Sequence, residues 1–223
     1  MRNIVFVLGA PGSGRGTQCE RIAKTFGYSH FSTGDLLRAE VKSGSDLGKE
    51  LDAVMKTGGL VDSTMMLKIL KGAMTEGNTK PVSGKYLIDG YPRAMDQIEQ
   101  FEAAICKPTV VVAFSASEKV LEERILGRGK ANGRAEDNDV KVIRARYATY
   151  KAQSEAVIDH YASQGIVTTI HSERAVETVW ADVQEVFRRK VVFVLGAFVE
   201  TGLQRNASIA ISTLRSKLHA SAA

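Results

Sequence analysis

Ten consecutive residues near the start of the chain, Gly9-Ala10-Pro11-Gly12-Ser13-Gly14-Arg15-Gly16-Thr17-Gln18, have the composition of an anion cradle. Glycines let several backbone N–H groups turn inward around one phosphate, and a helix that starts there adds the positive end of its dipole. The general phosphate-loop pattern is G-x-x-x-x-G-K-[ST]. Here Arg15 takes the lysine position, and the hydroxyl arrives one residue late, as Thr17 after Gly16. Gly12, Ser13, Gly14, Arg15, Gly16 and Thr17 are therefore the candidate phosphate ligands. A guanidinium is broad and planar where an ammonium is compact, so the exchange keeps the charge and changes the shape.

A dinucleotide-binding turn of the G-x-G-x-x-G type is the rival reading. Gly12, Gly14 and Gly16 are spaced G-x-G-x-G, which misplaces the third glycine. Asp35 stands at a distance that would suit a ribose-binding acid, but it follows Ser32-Thr33-Gly34 and not a second strand. Ser32 and Asp35 are predicted instead to open a helix as N-cap and acidic third position.

Two further groups could handle phosphate. In Tyr86-Leu87-Ile88-Asp89-Gly90-Tyr91-Pro92-Arg93 an apolar run ends in an acid, which places a carboxylate at the tip of a strand. Asp89 is suited to magnesium held through water, and Arg93 to a forked bond onto phosphate. An ordinary Gly/Pro turn after a strand would look similar. Arg124, Arg128, Arg134, Arg144 and Arg146 lie within or flank the polar stretch 127–138. Singly, such residues are mostly solvated helix faces; flanking a glycine-rich loop, they suggest a cationic lid.

These groups need a scaffold that delivers them to one place. Short Val- and Ile-rich runs without polar alternation predict strands over 3–8, 85–89, 109–114 and 166–170. Helical patterns fall between them, over 16–25, 94–105, 117–126, 139–162 and 175–187. Alternating β and α predicts a three-layer α/β/α domain with a parallel central sheet. Residues 33–78 hold helical segments and no strand pattern, so a helical insertion is expected. Residues 127–138 read as an exposed loop. The tail holds a partial copy: Val192-Phe193-Val194-Leu195-Gly196-Ala197 matches Val5-Phe6-Val7-Leu8-Gly9-Ala10, after which the glycines and the cation are missing.

Composition narrows the class. The chain has 223 residues, 44% hydrophobic and 25% charged, as expected of one globular core. The net charge of +5 could suit nucleic acid, but the arginines are dispersed, and a preference for small acidic ligands is the better reading. Cys19 and Cys106 are isolated, which argues against a disulfide frame or a zinc site. The four histidines do not stand at ligand spacing and read as packing or surface residues. No apolar stretch reaches membrane-spanning length, and the cytoplasm is the expected compartment.

With those residues in view, the chain resembles the nucleoside monophosphate kinases, and most closely the short-lid adenylate kinases. The likeness rests on the loop from Gly9 to Gln18, on Ser32-Thr33-Gly34-Asp35-Leu36-Leu37-Arg38, on Gly59-Leu60-Val61 and on Asp89-Gly90-Tyr91-Pro92-Arg93 with Gln97. Gly133-Arg134-Ala135-Glu136-Asp137-Asn138 and Thr149-Tyr150 complete it. The resemblance implies a P-loop kinase domain over 1–189, a monophosphate-binding insertion at about 32–61 and a short lid at about 127–138, followed by the degenerate tail 190–223. It implies reversible transfer of a phosphoryl group from ATP to AMP, giving two ADP with Mg2+, by a monomer that engages neither nucleic acid nor membrane.

Residues 12–17 would take the ATP phosphates, with Arg128. Thr33, Arg38, Gly59, Leu60, Val61, Gly90, Tyr91, Pro92, Arg93 and Gln97 would receive AMP, with Arg134 and Arg146. Catalytic charge would come from Arg15, Arg93, Arg124, Arg128, Arg134 and Arg146. Counting back from Thr149-Tyr150 favours Arg146 over Arg144. Thr33 and Gln97 point to adenine, since an amide can pair with its edge. Transfer to UMP or CMP is the alternative within the class, and a nucleotide-binding pseudokinase weakened by Arg15 is the alternative outside it. Asp62 and Glu136 stand where relatives often carry proline and aspartate.

Overall fold

The computed structural model describes residues 3–75, 84–132 and 137–191. The chain divides into two compact units, Met1–Gln184 and Glu185–Ala223. In the second unit the described residues are the end of a helix and a π turn, Phe187–Val191, with Arg189 ion-paired to Glu185. The copied segment of the tail lies outside the described residues.

The first unit alternates as its apolar pattern requires. Strand β1 (Asn3–Gly9) leads through the glycine loop into α1 (Arg15–Phe26), then β2 (Ser29–Ser32), α2 (Thr33–Ser43), α3 (Asp46–Thr57) and α4 (Ser63–Thr75). After these come β3 (Lys85–Asp89), α5 (Met95–Ala104), β4 (Val110–Ser115) and α6 (Glu118–Asn132). Helix α7 (Val140–Thr149), a π turn (Tyr150–Ser154), α8 (Glu155–Ser163), β5 (Val167–His171) and α9 (Val176–Val186) follow. The strands form one parallel five-stranded sheet in the order β2-β3-β1-β4-β5. This is the expected three-layer α/β fold with a helical insertion.

Three details differ from the sequence reading. Strand β2 is an addition: of its four residues only Phe31 is buried, so it lacks a continuous apolar run and is held as an edge by pairing with β3. The helix predicted over 139–162 is α7 and α8 joined through a π turn. The expected loop 127–138 is helical as far as Asn132. Gly129 serves packing there: a Cβ on it would stand 2.5 Å from the Asn138 Oδ1 and 2.8 Å from the Asp137 carbonyl oxygen.

Strand β1 is buried along its whole length. Its Phe6 ring meets Phe101, Tyr161 and Tyr91 at centroid distances of 5.0, 5.9 and 6.2 Å. Edge-on and tilted aromatic pairs of this kind add about 0.5–1.5 kcal/mol each beyond the area they bury. They fasten the segment after β3 to the sheet. The inserted helices are capped locally: Ser32 accepts from the Asp35 N–H, Ser45 from Gly48 and Asp62 from Met65. Each such cap contributes on the order of 1 kcal/mol. Asp62, a departure from the relatives' proline, thus starts α4 by a hydrogen bond.

Candidate active site

The sheet order changes direction at β1, which lies between β3 and β4, and ligands of open α/β sheets bind beyond the strand ends at such a point. A cavity of about 560 Å³ lies there. The glycine loop, Asp89, Gly90 and Arg93 line it, together with Thr33, Arg38, Gly59, Leu60, Val61, Tyr91, Pro92, Gln97, Arg124, Arg128 and Arg146. Apart from Arg134, which is outside the described residues, and Arg144, every candidate site residue is on its wall.

At one end, α1 begins at Arg15 and Gly14, its N-cap, has no side chain to cap it. The first N–H groups of a helix have no partner within it, so this terminus is able to receive an anion. Gly12 makes the loop possible: its φ is +84°, and a Cβ there would lie 2.6 Å from the Leu121 carbonyl oxygen. The buried Ser13 hydroxyl has no hydrogen-bond partner among the described residues. Arg15 does not point into open space. Its Nε donates to Asp89 Oδ1 at 2.6 Å, and its Nη1 donates to the carbonyls of Gly9 and Ala10. Burial alone would push the Asp89 carboxyl up, but Arg15 and His30 outweigh it and hold it below the ordinary range.

At the other end Arg93 is fixed through its backbone and side chain alike. Its N–H donates to Gln97 Oε1 at 2.8 Å, its Nε donates to the Gly90 carbonyl at 2.7 Å, and its own carbonyl accepts from Ser154. Burial, with Arg15 and Arg146 nearby, brings its pKa down to about 9. Such crowding of cations is a demand for an anion. Gly90 at φ +76° leaves room for this: a Cβ there would stand 3.0 Å from Arg93 Nη2 and 3.2 Å from Arg15 Nη2. Thr33 is buried, its hydroxyl 3.0 Å from both the Asp89 and Gly90 carbonyls. Gln97 thus has one Oε1 lone pair engaged by the Arg93 N–H, which leaves its Nε2 donor and the second lone pair.

Asp137 organises the remaining cations. It is fully buried and accepts from Arg128 Nε and Nη2, at 2.6 and 3.0 Å, and from Arg146 Nη1 at 2.7 Å. Burial raises its carboxyl, but the two arginines prevail and lower it. Arg146, not Arg144, faces the site; Arg144 is exposed and paired to Glu122 at 3.4 Å. Arg124 donates to the Ser172 carbonyl at 2.8 Å. Thr149 donates toward the Gly58 carbonyl at 3.3 Å and thereby ties α7 to the insertion.

Sequence reading passed over three residues. Asp137 carried a signal, an acid inside an arginine-rich stretch. Cys19 and His30 carried none, because their spacing gives no hint that α1 and β2 converge on β3. Yet their ligand atoms and that of Asp89 all lie within 4.8 Å of one another, against the expectation that no histidine or cysteine clusters.

Comparison with known proteins shows what the chain is similar to. The family model described as adenylate kinase matches residues 7–166. Adenylate kinase isoenzyme 1 of Rattus norvegicus is 45% identical over 180 residues, covering 81% of this chain and 91% of the relative. The isoenzyme 1 of Cyprinus carpio is 46% identical over 80% of this chain and 90% of its own length. Adenylate kinase 1 of Schistosoma mansoni is 43% identical, with 79% and 88% covered.

Proposed function

The chain belongs to the adenylate kinase family and is a nucleoside monophosphate phosphotransferase, and from that premise we propose how its cavity divides the work. The reaction is reversible transfer of a phosphoryl group from ATP to AMP, yielding two ADP. The glycine loop and the start of α1 receive the ATP phosphates, with Ser13 Oγ as an extra partner. AMP occupies the end formed by Thr33, Arg38, Gly59, Leu60, Val61, Gly90, Tyr91, Pro92, Arg93 and Gln97. Phosphoryl transfer asks for alignment, charge neutralisation and exclusion of water more than for covalent chemistry. Arg15, Arg93, Arg124, Arg128 and Arg146 supply the charge from fixed positions, so little reorganisation is needed as the phosphoryl group moves. Arg134 belongs to the proposal by its place in the sequence.

Asp89 and Thr17 fit magnesium, because both offer oxygen to a hard cation and Asp89 Oδ2 faces the loop, 3.7 Å from where a Cβ of Gly16 would lie. Held there with ATP, the metal would supply positive charge that neutralises the phosphates. Arg15 already holds the other carboxylate oxygen. The domain limits 1–189, 32–61 and 127–138, with the tail 190–223, are retained as the working division, and we take the enzyme to act as a monomer in the cytoplasm. No helix among the described residues is long and apolar enough to cross a membrane.

One observation carries the reading: Arg93 lies in a ring of other cations, with a helix N-terminus at one end of the cavity and a buried amide at the other. A coupled assay of ADP formation from ATP with AMP, CMP or UMP tests it. AMP should be the preferred acceptor. Absence of ADP formation with AMP, from a folded protein that binds ATP, would defeat the reading.

A further inference from the structure

We propose that Cys19, His30 and Asp89 form a binding site for a thiophilic divalent cation such as Zn2+, separate in chemistry from the magnesium that accompanies ATP. Cys19 Sγ, a ring nitrogen of His30 and an Asp89 oxygen come from three elements, α1, β2 and the tip of β3, and lie within 4.8 Å of one another. Tetrahedral Zn2+ with S, N and O ligands at 2.0–2.3 Å separates them by about 3.3–3.8 Å, so closure needs shifts of about 1 Å or less.

The donors are individually suited. Cys19 is a buried free thiol, and burial, with Asp89 close by, keeps it protonated when no cation is present. His30 Nε2 is a buried atom that makes no hydrogen bond within ordinary length among the described residues, and it stands at ion-pair distance, 3.6 Å, from Asp89 Oδ2. Asp89 gives its Oδ1 to Arg15, which leaves Oδ2 facing His30. His30 and Asp89 both line the cavity, so an ion has a route inward, and three protein ligands leave a fourth position for water. On binding, the thiol proton passes to solvent and the thiolate and carboxylate together balance the divalent charge. A sulfur and an imidazole favour zinc, cobalt or copper over magnesium or calcium. With Oδ2 on the ion, Asp89 is withdrawn from the nucleotide's cation, so occupancy should slow transfer; that consequence rests on the function proposed above, whereas binding does not.

The test is titration of the reduced, full-length protein with Co2+, read by the sulfur-to-cobalt charge-transfer absorption, followed by displacement with Zn2+. The chain has two cysteines, so the band reports one of two thiols. Wild type and Cys106→Ala should show the band at one ion per chain, Cys19→Ala should lose it, and His30→Gln should bind at least about tenfold more weakly. No band in wild type, a band that survives in Cys19→Ala, or one lost in Cys106→Ala would overturn the site. Should Cys19→Ala fail to fold by circular dichroism, unchanged Co2+ affinity in His30→Gln would overturn it equally. Zn2+ should also inhibit wild type at least about tenfold more strongly than Cys19→Ala in the coupled assay. Equal inhibition would refute the link to transfer while the Co2+ titration still judges the site.

Discussion

Two buried carboxylates hold arginines that line this cavity, and they do so differently. Asp137 is shared by Arg128 and Arg146 through their side chains alone, an arrangement that sets two guanidinium groups side by side on the wall. Asp89 holds Arg15, but Arg15 also spends Nη1 on the carbonyls of Gly9 and Ala10, at the base of the phosphate loop itself. The first pair is a prepared clamp. The second is a cation turned partly away from the loop it should serve, because a planar fork reaches back where a lysine ammonium could not spread.

The comparison is broken most directly at Asp137. Replacement by alanine leaves two half-buried cations beside one another without their common anion, and turnover should fall about 100-fold or more in steady-state assays, within the range seen when a fixed charge-stabilising contact is lost. Unchanged turnover would make Asp137 a packing residue only.

What could be read from sequence followed the length scale of the signal. The glycine loop, the β3 tip and the strand runs are local patterns, and the structure has them within a residue or so of their expected limits. Strand β2 was hidden because an edge strand buries only Phe31 and so has no periodicity to display. Helix α6 hid its last turn because Gly127 and Gly129 look like loop residues, while Gly129 is there for contact with Asp137 and Asn138. The Cys19–His30–Asp89 group is a product of sheet order, which no spacing encodes.

A second test sharpens the acceptor end. With Gln97 fixed by the Arg93 N–H on Oε1, base choice depends on its remaining donor and acceptor sites and on Thr33, so AMP should exceed CMP and UMP in kcat/KM by at least about tenfold, roughly 1.4 kcal/mol. Equal turnover of CMP would remove the adenine assignment and leave the phosphate end intact.

A smaller effect concerns acid. The Asp137 carboxyl is held below its ordinary value of 3.8 in the folded protein. Its stabilising contribution is therefore complete above that value and is lost as pH falls toward the lowered one. Wild type minus Asp137→Asn, compared by urea midpoints, should shrink steadily from about pH 5 to about pH 3. A constant difference would mean that Asp137 does not titrate across folding. The smallest effect is expected from the tail. Removing 192–223, which lacks the glycines and cation of the loop it copies, should leave ATP affinity within about twofold by calorimetry, and a complete loss with the fold intact would give the tail a part in the site.

The contrast between the two carboxylates turns on Arg15, and steady-state kinetics of wild type, Arg15→Lys and Arg15→Ala with ATP and AMP, paired with calorimetric ATP binding, tests it most directly. A lysine frees Asp89 and places a compact charge between the phosphates. Turnover of Arg15→Lys should then rise about tenfold or more with ATP affinity nearly unchanged, as for a contact made in the transition state, and Arg15→Ala should fall below both. Wild-type turnover equal to that of the lysine form would contradict the account and show that the loop is already matched to its arginine.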